Sequence, residues 1–235
     1  MLACADRLLI ASVDPARPER AALLARAPEL MAAVAALSDA AVASDVTSPL
    51  VLTALLGEAG LGMAHLQRRL APVVTGMTRE VLSWGEPWRS VFLYWRHRAG
   101  LGRRFVTGGA PAEPLRALYH RVHLVYYAAD YGAKPVARAR HEDVLRACEV
   151  ALAALGDNAD AVAEVLLAEA CLRPADDARR SRLLSELGRL QRPDGSVSTP
   201  AGATPDAQHH TACVAALAAS LVRPWPIASP SRRRR

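Results

Sequence analysis

Apolar residues recur along this chain at intervals of three and four positions, the spacing that aligns side chains on one face of an α-helix. Prolines and glycines interrupt this pattern and divide it into successive segments. Alternation of apolar and polar residues, which favours β-strands, is almost absent. The pattern predicts helices at residues 2–12, 17–43 with a break at Pro28, 50–56, 65–70, 73–84, 88–98, 116–131, 141–155, 161–172 and 178–191, and in a last segment that begins near His209.

The segment at 116–132 has two contrasting faces when it is drawn as a helix. The aliphatic face consists of Leu118, Val122, Val125 and Ala129. The polar face consists of Arg116, His120, His123, Tyr127 and Asp130, within about 80° of arc. Because ordinary solvated helix faces are made of Glu, Lys, Arg and Gln, a face of His, Tyr and Asp predicts a helix buried on both sides. Its polar side is expected to line a cavity or a wet interior.

Composition supports an all-α domain. Hydrophobic residues make up 51% of the 235 residues but aromatic residues only 5%, so Ala, Leu and Val must fill the core. Ala and Leu are strong helix formers. We therefore expect an all-α fold of about ten helices in antiparallel hairpins, either an α/α-toroid or an irregular helical array. A single domain is predicted for residues 1–226, followed by a disordered basic tail at 227–235.

The charge pattern bears on possible partners. The formal net charge is +6, and Lys134 is the only lysine. The arginines are scattered apart from the four at residues 232–235, and no basic stripe interleaved with aromatic residues accompanies them. Nucleic-acid binding is therefore not expected. A modestly basic surface suits an acidic partner such as a carrier protein, and homo- or hetero-oligomers are compatible with the sequence.

The cysteines and the apolar runs bear on the compartment. The four cysteines are Cys4, Cys148, Cys171 and Cys213. They form no C-x-x-C pair and lie far apart, which is typical of unbridged thiols in a reducing cytosol. The chain starts without the basic and apolar regions of a secretory signal, and no run approaches the roughly 20 apolar residues of a membrane span. We therefore predict a cytoplasmic protein without a membrane segment.

The last hairpin carries a family resemblance. Residues 187–197 read LGRLQRPDGSV, and a Pro/Thr/Gly loop leads from them into His209-His210-Thr211 at the start of an Ala-rich helix. This order resembles the α/α-toroid repeats of terpene cyclases and prenyltransferase β-subunits. Val197 stands where those repeats carry tryptophan, and no Asp-rich terpene motif is present. The resemblance implies a toroid shape but not terpene chemistry.

A second resemblance rests on the central segment. Its end, LVYYAADYG at residues 124–132, and the downstream His-His-Thr are similar to uncharacterised helical proteins of actinobacteria. Such proteins tend to lie among natural-product genes. In size and style the chain also resembles the helical subunits that close aziridine rings in azinomycin-type pathways. These resemblances imply a setting in bacterial secondary metabolism rather than a reaction. Cyclisation or elimination of a small or carrier-bound substrate is instead expected from proton transfer and anion stabilisation on the polar face.

Three interpretations of the polar face compete. Two histidines at positions i and i+3 can share a metal ion, but Asp130 lies about 10 Å further along the helix than His123, too far for the same first shell. General acid–base catalysis is the second, because a partly desolvated histidine titrates near neutrality. The third is structural, with His and Tyr satisfying buried contacts. We favour acid–base catalysis without a metal or cofactor, and keep a non-catalytic partner or ligand-binding protein as the alternative.

The acid–base interpretation assigns roles to particular residues. The predicted catalytic residues are His120, His123, Tyr127, Asp130 and His210. The predicted substrate-binding residues are Arg116, Trp88, Trp95 and His209. The two tryptophans belong to a stripe at 88–98 that is either an aromatic pocket wall or part of the core. Asp45 and Asp194 are interpreted as capping residues, and the absence of P-loop and G-x-G-x-x-G motifs argues against nucleotide kinases and NAD enzymes.

Overall fold

The computed structural model describes residues 18–102, 109–134, 136–197 and 204–222. This part of the chain is almost entirely helical, which confirms the all-α fold. It forms eleven α-helices: α1 (Pro18–Ala25), α2 (Ala27–Ala35), α3 (Asp39–Ser44), α4 (Thr47–Glu58), α5 (Ala64–Val81), α6 (Trp88–Arg98), α7 (Pro114–Ala128), α8 (Glu142–Leu155), α9 (Ala159–Ala170), α10 (Asp177–Arg189) and α11 (Pro205–Val222). The helix predicted at 2–12, Cys4 and the tail at 227–235 lie outside the described residues.

Two short strands lie in the connections of two successive helix pairs and pair with each other. Strand β1 (Val136–Ala137) follows α7, and β2 (Leu172–Arg173) follows α9. The two strands pair in parallel, with Val136 aligned to Leu172. The pairs α7–α8 and α9–α10 therefore have equivalent connections, an arrangement typical of a layered helical array. Closure of this array into a toroid stays a prediction.

Helix α9 is the centre of the C-terminal half. It packs against α7, α8, α10 and α11, and every residue from Ala161 to Ala170 is buried. Such a helix should be hydrophobic all round, and apart from Asp160, Glu164 and Glu169 it contains only Ala, Val and Leu. Asp160 and Glu164 lie one turn apart on one side of α9, whereas Glu169 lies about 180° from Asp160.

Glu169 is held by arginines on the far side of α9. Its side chain is fully buried, and both of its oxygens accept hydrogen bonds from Arg138, in the 3₁₀ turn after β1. Arg179 and Arg180 of α10 approach the same carboxylate at 3.6 and 3.9 Å. Bidentate arginine pairing is the geometry that best compensates a buried carboxylate. This network connects α8, α9 and α10.

Helix α5 differs from the sequence prediction. The separate helices expected at 65–70 and 73–84 form one helix with Pro72 in its interior. An interior proline costs roughly 3 kcal/mol. The buried residues of α5 form one continuous stripe, listed as Leu66, Leu70, Val74, Met77 and Val81. Because the stripe continues on both sides of Pro72, its burial stabilises one helix through the proline.

Capping explains two other helix starts. The predicted break at Pro28 is confirmed, because α2 begins at Ala27 with the proline in its first turn. At α4, Ser48 lies within the first turn of the helix rather than at its N-cap. Asp45 accepts a hydrogen bond from the Ser48 backbone N–H at 3.2 Å, while the buried Ser48 hydroxyl has no hydrogen-bond partner. The interpretation of Asp45 as a capping residue is confirmed.

Among the described residues, none of the helices is both long enough and apolar enough to cross a membrane.

Candidate functional site

Helix α7 is the helix predicted from residues 116–132, and it is buried on two sides. Glu113 caps its first turn by accepting hydrogen bonds from the backbone N–H groups of Leu115 and Arg116. Leu118 and Val122 are buried on the aliphatic face. On the polar face, His120 is only 2% exposed. The prediction of a helix with a buried polar face is therefore confirmed for its histidine-bearing part.

Two tyrosines of α7 bind the two carboxyl groups on one side of α9. The Tyr119 hydroxyl donates to Asp160 Oδ2 at 2.5 Å, and the Tyr126 hydroxyl donates to Glu164 Oε2 at 2.5 Å. The Glu164 side chain is almost completely buried. The other oxygen of Asp160, Oδ1, is buried without a hydrogen-bond partner. A buried acceptor of this kind costs free energy unless a ligand or water satisfies it.

Two histidines from different helices interact with Glu164, one of these two carboxyl groups. His210 of α11 places Nε2 3.7 Å from Glu164 Oε1, with 45% of its side chain exposed. His123 of α7 lies one turn after Tyr119, and its Nδ1 is 2.5 Å from the Tyr119 carbonyl oxygen. A carbonyl oxygen can only accept, so Nδ1 carries the proton in the neutral ring and the lone pair is on Nε2.

The pKa values of the two carboxyl groups shift in opposite directions. Burial raises the pKa of Asp160, and the neighbouring charge of Glu164 raises it further. Burial would also raise the pKa of Glu164, but the hydrogen bond to His210 and the charge of His123 outweigh it and lower that pKa. Neighbouring acids whose pKa values are shifted in opposite directions are typical of sites that transfer protons.

Burial lowers the pKa of His123, because it disfavours the charged imidazolium form. The negative charge of Glu164 offsets only part of this decrease. A folded-state pKa below the unfolded value of about 6.5 means that protonation favours unfolding. The corresponding stability is fully present above pH 6.5 and is lost as the pH falls through the folded-state pKa.

We therefore expect the free energy of unfolding to decrease between pH 7.5 and 5.5, and to decrease less in His123→Gln. Each unit by which the pKa of His123 lies below 6.5 contributes about 1.4 kcal/mol to this difference. Urea unfolding at several pH values measures it. The exposed His65 provides the control variant His65→Gln, which should keep the wild-type slope. Equal slopes for wild type and His123→Gln would contradict the prediction.

Asp130 lies outside this site, which corrects the expected His-Tyr-Asp string along one face. Helix α7 ends at Ala128, and Asp130 and Tyr131 adopt left-handed backbone conformations with φ of 52° and 51°. Asp130 Oδ1 accepts a hydrogen bond from the Tyr94 hydroxyl at 2.9 Å and pairs with Arg98 at 2.8 Å. The reversal of the chain thus turns the carboxylate towards α6.

Tyr127 also turns towards α6 rather than towards a carboxylate of α9. Its ring stacks on Tyr94 with centroids 4.0 Å apart. Tyr131 stacks on Trp95 at 5.7 Å and on Tyr126 at 5.1 Å. These stacked rings form an aromatic cluster between α6 and α7, and such pairs stabilise the packing beyond the area that they bury. The geometry at Tyr127 agrees with a core position.

His120 contacts a different acid. Its Nδ1 lies 3.5 Å from Oε2 of Glu86, which is in the turn before α6. This His120 Nδ1 atom is buried and has no hydrogen-bond partner. The same Glu86 oxygen accepts hydrogen bonds from the backbone N–H and hydroxyl of Ser90. Glu86 therefore caps the start of α6, and His120 lies against this cap. The two histidines of α7 belong to separate groups of polar residues.

The predicted substrate-binding residues are dispersed. Trp88 is 60% exposed, whereas Trp95 is 3% exposed and covered by the rings of the aromatic cluster. Arg116 is exposed, with its guanidinium beside Gly85. His209 lies one turn before Cys213 on α11. The structure thus places His210 against Glu164 and lets His123 interact electrostatically with both, whereas the contacts described for these four side chains are with other residues.

Sequence reasoning missed the acids of α9 and Glu86. A signal was available for α9, since acids in an otherwise apolar helix of Ala, Val and Leu require compensating partners. Asp194, by contrast, is confirmed as a turn residue, because Oδ1 accepts hydrogen bonds from the Ser196 backbone N–H and hydroxyl. Within the part of the chain that the structure describes, no three His, Cys, Asp or Glu side chains are grouped so that they could hold a metal ion.

These features define an all-α protein in which a buried helix presents two carboxyl groups to two tyrosines and two histidines. Residues 115–220 are similar to a family described as a domain of unknown function, DUF6895. The matched range runs from α7 to α11 and includes His123, Asp160, Glu164 and His210. No curated protein and no solved structure matches the chain.

Proposed function

We propose that this protein is a cofactor-independent enzyme, or the helical subunit of one, that uses general acid–base catalysis. The observation that carries the proposal is the Glu164 carboxylate, which is buried in an otherwise apolar helix and interacts with His123 and His210. A charge in this position costs free energy, and an apolar residue would fill it at less cost. Buried charges with shifted pKa values are concentrated at functional sites.

The geometry assigns different roles to the two histidines. His123, with its lowered pKa and its Nδ1 proton held by the Tyr119 carbonyl, is suited to accept a proton at Nε2. His210 is half exposed and lies against Glu164, whose negative charge favours a protonated imidazole. It is suited to donate a proton to a leaving group. A base and an acid on two helices that both pack against α9 are suited to a cyclisation or an elimination.

The proposed substrate class rests on this pairing together with the family resemblance. In an intramolecular cyclisation, a substrate amine forms a bond to carbon and loses its proton to His123, while the leaving group departs with a proton from His210. The resemblance to helical proteins of natural-product gene clusters supports small or carrier-bound substrates, including amines that close to aziridines. The net charge of +6 is compatible with an acidic carrier protein.

A substrate panel tests the proposal. Small amines with a leaving group on the neighbouring carbon are offered free and as N-acetylcysteamine thioesters, which imitate carrier-bound substrates. The protein is assayed alone and with proteins that co-purify with it, and mass spectrometry detects loss of the leaving group. We expect turnover that decreases as the pH falls below the lowered pKa of His123, because the base becomes protonated.

The alternative is a ligand-binding or non-catalytic partner protein, and the same panel separates the two. Thermal-shift measurements record binding independently of turnover. Binding without turnover, both alone and with co-purified proteins, would favour the alternative. The stacked rings of the aromatic cluster are compatible with this alternative, because their packing is explained without catalysis.

A further inference from the structure

Helix α11 carries a thiol and an imidazole in direct contact. Cys213 Sγ lies 3.4 Å from Nε2 of His209, four residues earlier. Side chains at i and i+4 are neighbours on a helix surface, so the helix itself maintains the pair. Both residues are partly buried rather than enclosed.

The other described cysteines lie in a contrasting environment. Cys148 and Cys171 are buried, and burial raises their pKa values to about 11 and about 12. The nucleophile in thiol chemistry is the thiolate, so these two thiols should be inert near neutral pH. A thiol beside an imidazole has the opposite tendency, because transfer of its proton to the ring creates a thiolate next to a positive charge.

We propose that His209 acts as a base beside Cys213 and makes it a reactive thiol, and that Cys213 is a site of covalent modification by small-molecule disulfides. In this step the Cys213 thiolate attacks one sulfur of the disulfide R–S–S–R. A new S–S bond forms between Cys213 and one RS group, the original S–S bond breaks, and the second RS group leaves as a thiolate. The small disulfide is reduced as Cys213 is oxidised, so electrons balance without another reactant.

The pair is separate from the acid–base site, so this inference does not depend on the proposed function. His210, the next residue, contacts Glu164, whereas His209 contacts Cys213 one turn further along α11. The two adjacent histidines thus contact different side chains. Substitution of His209 leaves Glu164, His123 and His210 unchanged.

Peptide-resolved alkylation of the full chain tests the proposal. The protein is pulsed with iodoacetamide between pH 5.5 and 9, quenched and digested after arginine, which separates Cys213 from Cys148 and Cys171. We expect Cys213 to react at pH 7 at least about tenfold faster than the two buried thiols, with a rate that follows an ionisation below the ordinary cysteine value of about 8.5. Treatment with oxidised glutathione should add one mixed disulfide at Cys213, reversible with dithiothreitol.

His209→Gln isolates the contribution of the imidazole. We expect it to slow alkylation of Cys213 at pH 7 by about tenfold, because only a few per cent of an ordinary thiol is ionised there. His65→Gln, a substitution of an exposed histidine on α5, should leave the rate unchanged. Circular dichroism checks that each variant folds.

Two results would overturn the proposal. One is a wild-type rate for Cys213 that follows an ionisation at or above about 8.5, which decides the matter even if His209→Gln does not fold. The other is an equal rate at pH 7 in folded His209→Gln and wild type. A mixed disulfide found on Cys148 or Cys171 in preference to Cys213 would also contradict it.

Discussion

Glu164→Gln is expected to lower turnover of a substrate by about 10²- to 10⁴-fold, the range that a positioned acid or base contributes. The substitution keeps the size of the side chain and a hydrogen-bond acceptor for the Tyr126 hydroxyl. It removes the negative charge beside His210 and His123. Without that charge, His210 loses its proton more readily and becomes a poorer donor at neutral pH.

Two measurements separate this effect from general damage to the fold. Titration of the histidine ring signals by NMR should show that His210 in Glu164→Gln loses its proton at a lower pH than in wild type. That shift shows that the Glu164 charge acts on His210, and it supports the prediction when turnover falls in the same folded variant. Asp143→Asn, which removes an exposed acid on α8, is the matched control and should retain activity. Turnover by Glu164→Gln within twofold of wild type would contradict the prediction.

Arg138→Met is expected to lower the free energy of unfolding by about 3 kcal/mol, near the lower end of the range for breaking a buried ion pair. Arg138 donates to both oxygens of the fully buried Glu169 and to the Pro174 carbonyl at 2.9 Å. In the wild-type structure Arg179 and Arg180 also approach Glu169, at 3.6 and 3.9 Å, so part of the compensation should persist in the variant. Urea unfolding at neutral pH measures the loss.

Arg182→Met is the control for this prediction. Arg182 pairs with Glu149 at 2.9 Å, but its side chain is 66% exposed, and exposed pairs contribute about 1 kcal/mol or less. The double variant Arg138→Met/Glu169→Leu should recover part of the stability, since the buried carboxylate is removed together with its arginine. The recovery is partial because Arg180, which is 12% exposed, loses its ion pair with Glu169. A stability of Arg138→Met within about 1 kcal/mol of wild type would mean that the pair does not hold α8, α9 and α10 together.

The central segment shows how far helical periodicity predicts a site. The angular pattern of residues 116–132 identified α7 and its buried histidines, because side-chain direction inside a helix follows from sequence spacing alone. The same reasoning placed Asp130 on this face, since it assumed that the helix continued. The left-handed conformations of Asp130 and Tyr131 end that regularity. Non-glycine residues rarely adopt them unless tertiary contacts compensate, such as those of Asp130 with Tyr94 and Arg98.

The carboxyl groups were harder to predict than the imidazoles. Histidines are rare in this chain and attract attention, whereas Asp160 and Glu164 are two of 23 acids. Their importance depends on burial, and burial of α9 on all sides results from packing against four other helices. The sequence carried a usable signal in the apolar composition of α9, but recognising its partners required distances between residues about 40 positions apart.

The sequence by itself determined the all-α fold and most helix positions, because helix propensity, capping groups and prolines act within a few residues of one another. It also supported the expectation that His210 lies close to the polar face of α7. Only the tertiary structure decided that Glu164 interacts with both His123 and His210, that His120 lies against Glu86, and that Asp130 contacts α6. The physical reason is that these contacts join segments distant in sequence, and their geometry is set by the packing of whole helices.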